Sequence, residues 1–256
     1  MIIIVDLDST LLTSDKKITD YTLRVFRKAQ ERGHKIIVNT ARSLKLTYKY
    51  SKMLNADYIV CFNGNLVLDK FGNFYSEKKL DENTARKLIE FSVKNGIENI
   101  RIDTKTNIFS NNLDYCLDNN FEYVSTEKLI ELSPIAYTLL FDRNPSSNFD
   151  KMEKFAEENG VLFGYSRDLS QSWFMPAGTE KWEGVKIAIG EISKTEKHKT
   201  IAFGDELTDV ITFMNVDYPV PLLNSTEEVL DMFEKTTKHD NDNNGVAIWL
   251  EENLLI

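Results

Sequence analysis

The chain begins Met1-Ile2-Ile3-Ile4-Val5 and then turns abruptly to Asp6-Leu7-Asp8-Ser9-Thr10. Four consecutive β-branched residues with no polar alternation describe a strand covered on both faces, and such strands belong to parallel sheets packed between helices. This segment directs the chain toward an α/β fold, with the first strand in the interior and the first carboxylate at its carboxyl end.

The next segments repeat the theme. Residues 19–32 carry Leu23, Phe26 and Ala29 near one stripe, with Thr19 or Asp20 as N-cap and Gly33 as the stop, so they read as a helix. Residues 35–39 read as a second strand ending at Thr40, residues 43–55 as a helix, and residues 58–62 as a third strand ending at Asn63-Gly64. Strand, helix, strand, helix, strand is the pattern of right-handed crossovers in a parallel sheet.

After Gly64 the rhythm changes. Residues 66–68 and 74–75 suggest a small hairpin, residues 83–95 a helix, and residues 97–103, 107–110, 135–142, 161–166 and 172–176 strands, with a helix at 149–159. This describes an α+β insert built on an antiparallel sheet with helices on one face. The α/β rhythm resumes near Lys181 with a helix carrying Trp182, Val185, Ala188 and Ile192, followed by a strand at 200–203 that ends at Gly204-Asp205. Ser225-Thr226-Glu227-Glu228 reads as a capping box opening a late helix, and a last helix starts near Val246. The expected organisation is α/β, a Rossmann-like core with a mainly parallel sheet formed by residues 1–80 and 177–256, interrupted by an inserted α+β domain at 81–176.

In an open parallel sheet the ligand crevice lies beyond the carboxyl ends of the strands. The residues predicted there are Asp6 and Asp8, Thr40, Asn63-Gly64, and Gly204-Asp205 with Asp209, while Lys181 opens the returning helix. Two groups of carboxylates, a hydroxyl and an ammonium suit phosphoryl transfer, where positioning and charge neutralisation supply most of the catalysis. Asp6 is the better nucleophile, since a carboxylate is ionised at neutral pH and covalent capture splits one hydrolysis into two easier steps. Asp8 suits general acid and then general base, its pKa expected to be raised by a like-charged neighbour. Carboxylates facing a phosphate call for a cation: Mg²⁺, with Asp6 and Asp205 as suitable ligands. Lys181 can offset remaining charge and Thr40 can hydrogen-bond a phosphate oxygen. Taken singly, Asp-x-Asp is a common surface turn, Thr40 a cap, Lys181 a solvated lysine and 204–209 an acidic helix start. Their convergence carries the argument.

Composition narrows the partners. With 31 basic and 40 acidic residues the net charge is −9, and no Lys/Arg-rich run could track a nucleic-acid backbone. A small phosphorylated metabolite is the expected partner, with neither nucleic acid nor membrane, because Asp6 and Asp8 interrupt the apolar N-terminus and no basic region precedes it. Cys61 and Cys116 lack metal or redox spacing and read as reduced thiols, so a cytoplasmic location is expected. Oligomeric state leaves no mark in the sequence.

With these motifs in order, the chain resembles the haloacid dehalogenase superfamily, in particular its Cof-like branch with a type IIB cap. The segment from Asp6 to Leu12 is similar to the first family motif, Thr40-Ala41-Arg42 to the second, Lys181 to the third, and Gly204-Asp205 through Asp209 to the fourth. Phe62-Asn63-Gly64-Asn65 and the segment from Asn241 to Ala247 are supporting matches. The resemblance implies Asp6 as the nucleophile of an aspartyl-phosphate, Asp8 as acid/base, and Thr40-Ala41 with Lys181 as phosphate-binding. It also implies Asp6, the Asp8 backbone carbonyl and Asp205 as Mg²⁺ ligands, with Asp209, Asn63 and Arg42 in support. Ser9 stands where many relatives have Gly, Ala41 replaces the usual Gly after Thr40, and Thr208 replaces the usual Asn before Asp209. The fourth motif is partly similar to that of trehalose-phosphate phosphatases, and residues 216–220 to mannosyl-phosphoglycerate phosphatases, which favours sugar phosphates. The expected activity is therefore a Mg²⁺-dependent phosphomonoesterase. A phosphotransferase or phosphomutase with the same intermediate, and a non-catalytic phosphate-sensing module, remain open alternatives. Cap residues Arg101, Asp103, Arg143, Tyr165, Arg167 and Trp173 are candidate selectors of the leaving group by charge or shape.

Overall fold

A computed structural model describes residues 1–97, 99–142, 149–165, 171–194 and 196–255. Arg143 and Arg167 lie outside the described residues. The elements run β1 (Ile2–Val5), α1 (Asp20–Glu31), β2 (Lys35–Asn39), α2 (Leu44–Leu54), β3 (Tyr58–Cys61), β4 (Leu66–Asp69), β5 (Phe74–Glu77), α3 (Glu82–Lys94), β6 (Ile100–Asp103), β7 (Ile108–Ser110), α4 (Leu113–Asn119), β8 (Glu122–Tyr123), α5 (Thr126–Glu131) and β9 (Thr138–Asp142). They continue α6 (Phe149–Glu158), β10 (Val161–Tyr165), β11 (Gln171–Pro176), α7 (Lys181–Ile192), β12 (Thr200–Gly204), α8 (Leu207–Phe213), β13 (Tyr218–Pro221), α9 (Glu227–Met232) and α10 (Gly245–Asn253).

The chain divides into two compact units, one of residues 1–42, 46–77 and 180–256, the other of residues 43–45 and 78–179. The first unit holds a sheet of order β13-β12-β1-β2-β3-β4-β5. Its first five strands are parallel, and β4 and β5 extend it antiparallel. β1 lies between β2 and β12, with Ile2 opposite both Lys35 and Thr200. Ile3 and Val5 pack against α1 and α10 through Val25, Phe26, Ala29 and Leu250, while Ile2 and Ile4 pack on the other face against Val185 and Ala188 of α7 and Phe213 of α8. Two covered faces explain why the opening run has no polar alternation. Thr19 is the N-cap of α1, accepting from the Thr22 N–H, and Thr226 rather than Ser225 caps α9.

β2 and β3 continue the sheet on one side of β1, whereas β12 and β13 continue it on the other. The direction of winding therefore reverses between β1 and β12, and a crevice opens beyond the carboxyl ends of strands at such a reversal. β1 ends at Asp6 and β12 at Asp205.

The second unit is α+β. Its sheet has the order β10-β11-β9-β6-β7-β8 and is antiparallel except where β7 meets β8. Ile100, Ile102, Leu139, Phe141 and Phe174 turn one sheet face toward Ala85, Leu88 and Ile89 of α3, Leu129 of α5, and Met152 and Ala156 of α6. Cys61 and Cys116 are buried free thiols, with the Cys61 thiol pushed up to about 12 by burial. Among the described residues no helix is long and apolar enough to cross a membrane.

Candidate active site

Asp6 leaves β1 in extended conformation and is 6% exposed. The chain then closes a wide turn in which the Leu12 N–H donates to the Leu7 carbonyl at 2.8 Å, anchored by buried Leu7, Leu11 and Leu12. Within it Ser9 adopts φ 53, the left-handed region that favours glycine. This accounts physically for the preference for Gly at that place; Ser9 is accommodated, and its carbonyl accepts from Asn224 Nδ2 at 2.8 Å. Thr10, in the same turn, donates from Oγ1 to Asp205 Oδ1 at 2.7 Å and so joins the ends of β1 and β12.

Lys181 is the first residue of α7 and only 4% exposed. α7 is held at its start by an unusually close approach. Phe62, Asn63 and Gly64 all have positive φ, and a Cβ on Gly64 would fall into the Glu180 carbonyl oxygen and lie 3.2 Å from the Gly184 nitrogen. Two glycines facing each other thus let the loop after β3 touch the first turn of α7. The Lys181 ammonium donates to Asp6 Oδ1 at 3.1 Å and Asp209 Oδ1 at 2.8 Å.

Asp205 is 1% exposed, and Asp209 in α8 turns back to accept from the Asp205 and Glu206 N–H groups at 3.1 and 3.2 Å. Asp6, Asp205 and Asp209 bring carboxylate oxygens within 4.8 Å of one another. Burial pushes Asp6 well up from its ordinary value; Lys181 opposes this, while Asp209, Asp205 and Asp8 add to it. Burial likewise raises Asp205 to about 7. For Lys181 burial works against the charge, but Asp209 and Asp6 outweigh it and hold the ammonium protonated. Three carboxylates against one ammonium leave two negative charges when all are ionised, a charge that one divalent cation would balance.

The donor set fits such a cation. Asp205 Oδ2 is buried with no hydrogen-bond partner, an expensive condition for a carboxylate oxygen unless a ligand takes it. Asp209, by contrast, has one oxygen on Lys181 and the other on two backbone N–H groups, so it is committed to orienting its neighbours.

Asp8 lies apart from this trio. Its carboxylate takes Arg42 in a two-point clamp, Nε to Oδ2 at 2.6 Å and Nη2 to Oδ1 at 2.7 Å, and Lys16 Nζ on Oδ1 at 2.7 Å. Burial alone would raise Asp8, yet the hydrogen bonds and charges of Arg42 and Lys16 outweigh burial and hold it down at about 2. This corrects the expectation of a raised pKa. The neighbouring carboxylate is there, but two cations are bonded directly.

Thr40 follows β2 and is 1% exposed; its Oγ1 accepts from the Arg42 N–H at 3.2 Å. Its carbonyl accepts from the Asn63 N–H at 3.1 Å, and the Arg42 carbonyl accepts from the Phe62 N–H at 3.0 Å, so the loops after β2 and β3 are tied together. Ala41 between them is exposed. The loop of residues 238–244 braces the segment after Asp8: Asn241 Nδ2 donates to the Leu12 carbonyl at 2.9 Å and Asp242 accepts from Ser14. Thr10 and Lys16 were not singled out by sequence reasoning, and only Thr10 lies within a recognisable motif. In the second unit, Arg101 is clamped on Asp103 and donates to the Tyr115 hydroxyl at 3.0 Å, while Tyr165 is exposed.

The model of the haloacid dehalogenase-like hydrolases matches residues 3–250, and the chain belongs to this family. Hydrolases of the family generally use a divalent metal. The chain is similar to the 5-amino-6-(5-phospho-D-ribitylamino)uracil phosphatase of Bacillus subtilis, with 24% identity over 98% of this chain and 96% of that protein. Its fold is similar to that of a haloacid dehalogenase-like hydrolase from Bacteroides thetaiotaomicron, with a TM-score of 0.85 and 19% identity over 98% of each chain. It is also similar to a subclass IIB sugar phosphatase, with a TM-score of 0.79 and 16% identity over 100% of this chain and 99% of that one.

Proposed function

We propose that this protein is a Mg²⁺-dependent phosphatase that hydrolyses a small phosphorylated metabolite, by preference a sugar phosphate, through an aspartyl-phosphate on Asp6. The observation that carries this reading is the buried, unpartnered Asp205 Oδ2 beside Asp6, whose ammonium partner Lys181 is already shared with Asp209. Asp6 and Asp205 would hold the cation, together with the Asp8 backbone carbonyl. When bound, Mg²⁺ supplies positive charge that lets a phosphate dianion approach the carboxylates and offsets charge on the transferring group.

The chain's own residues do the rest. Lys181 holds Asp6 in place and faces the incoming phosphate oxygens with a fixed positive charge. Thr40 and the Ala41 backbone receive a phosphate oxygen at the carboxyl end of β2. Asp6 attacks phosphorus, and the leaving alkoxide takes a proton from Asp8. Asp8, left as a carboxylate, then removes a proton from the water that cleaves the acyl phosphate. Its clamp by Arg42 and Lys16 favours the carboxylate, so the resting arrangement suits the second step and must loosen for the first. A domain inserted at 81–176, inside the second compact unit, would select the leaving group. The named activities of the ribitylaminouracil phosphatase and the subclass IIB sugar phosphatase support a small phosphate monoester as the substrate class.

The test is phosphate release from a panel of phosphorylated metabolites, with Mg²⁺ and with EDTA. Metal-dependent release that disappears in Asp6→Asn is the expected result. Turnover undiminished in that variant would overturn the assignment.

A further inference from the structure

Lys16 has no part in the scheme above beyond its contact with Asp8, yet the backbone around it is built with unusual care. It sits at φ 57, a conformation costing a non-glycine residue roughly 1 kcal/mol or more. Its N–H donates to the Thr13 carbonyl at 2.8 Å, and the Thr13 N–H returns to the Lys17 carbonyl at 3.0 Å. The Tyr50 hydroxyl donates to the Lys16 carbonyl at 2.9 Å from α2. Two residues earlier, Ser14 donates from N and Oγ to the two Asp242 oxygens at 2.7 and 2.6 Å. A strained lysine braced from three parts of the chain is aimed, and its ammonium is aimed at Asp8.

Orientation of Asp8 does not need it. The Arg42 fork already occupies both carboxylate oxygens, and Lys16 shares Oδ1 with Arg42 Nη2. The two cations also differ in setting, the Arg42 side chain being 17% exposed and that of Lys16 53%. Lys16 is the exchangeable partner.

A group that gives its proton to the leaving oxygen comes within roughly 3 Å of it. An ammonium 2.7 Å from the same carboxylate oxygen then lies within roughly 6 Å of the leaving oxygen, the reach of a substituent one or two carbons away. We propose that Lys16 is a leaving-group ligand: its ammonium passes from Asp8 to a second anionic oxygen, carboxylate or phosphate, on the substrate's leaving group, while Arg42 keeps Asp8 in place. This leaves Asp8 Oδ1 with one donor instead of two when a doubly anionic substrate is seated, and it deepens the phosphatase reading, on which it rests.

The experiment compares kcat/KM for matched pairs, glycerol phosphate against phosphoglycerate and glycerol phosphate against a vicinal glycerol bisphosphate, in the unaltered protein, Lys16→Met and Lys16→Arg. The first pair tests a carboxylate and the second a phosphate. The expected result is a preference for the doubly anionic member of at least one pair that falls about tenfold in Lys16→Met and is largely retained in Lys16→Arg. A ratio unchanged in Lys16→Met, including equal losses on both members, overturns the inference. So does an unaltered protein that turns over only the neutral leaving groups. Absence of turnover on every ester with Mg²⁺ would instead overturn the phosphatase reading, and this inference with it.

Discussion

Removing the metal should make the protein's stability depend on pH through Asp205. Burial moves that carboxyl from 3.8 to about 7, so the folded state binds its proton more tightly than the unfolded chain does. The sign follows directly: the stabilising contribution is complete below the unfolded value and is lost as pH rises through the folded one. At about 1.4 kcal/mol per pKa unit, the full loss is about 4 kcal/mol, of which about 2.5 kcal/mol falls between about pH 5 and about pH 8. A cation bound by the ionised carboxylate acts oppositely, adding about 2.7 kcal/mol at a hundredfold excess over its Kd, and binds better where protons compete less. Urea unfolding at the two pH values, with EDTA or with Mg²⁺, measures both terms. In EDTA the protein should be less stable at the higher pH, and Mg²⁺ should add more there. Asp205→Asn should be more stable than the parent at the higher pH in EDTA and should lose the response to Mg²⁺. An equal Mg²⁺ gain at both pH values, or a parent and variant with the same pH dependence, would refute the reasoning.

Other substitutions probe separate parts of the site. Asp6→Asn should lower phosphate release by at least about 10⁴-fold, read as kcat in the Mg²⁺ assay. Lys181→Met removes the ammonium bonded to both Asp6 and Asp209 and should destabilise by about 3–5 kcal/mol in urea titrations near neutral pH. Ser9→Gly relieves a left-handed backbone and should stabilise the fold by up to about 1 kcal/mol, visible as a raised thermal midpoint. Gly64→Ala drives a methyl group into the Glu180 carbonyl and should cost stability and phosphate affinity together, since the same contact positions Lys181; an unchanged KM would count against that coupling.

In the first unit's sheet β1, β2, β3 and β12 were legible because they are covered on both faces, so an apolar run without alternation marks each of them. β2 begins and ends at Lys35 and Asn39, as its composition predicts. β13 was not read as a strand, since Tyr218-Pro219-Val220-Pro221 carries two prolines; an edge strand tolerates them because one side of its backbone needs no partner. α4 and α5, seven and six residues long, have too few turns to display a helical stripe. Asp8 illustrates a different limit. Its carboxylate neighbour is two residues away in sequence, whereas Arg42 is thirty-four away and Lys16 reaches it only through a left-handed turn that no motif announces. The loop around Asn241 and Asp242 hid its role for the same reason, its partners Leu12 and Ser14 being more than 200 residues distant.

The position of β1 between β2 and β12 also governs when the protein can finish folding. β2 is available as soon as residues 35–39 have been made, but the other edge of β1 waits for residues 200–204. At roughly 5–20 residues per second of synthesis, that edge and the carboxylate at its end stay unpaired for about 10–40 s in a nascent chain. A hydrophobic strand of four residues is thus exposed early and sealed late, and the closing step also creates the site. Truncation before β12 should leave a chain that aggregates through β1, so that solubility and catalysis are acquired in the same event.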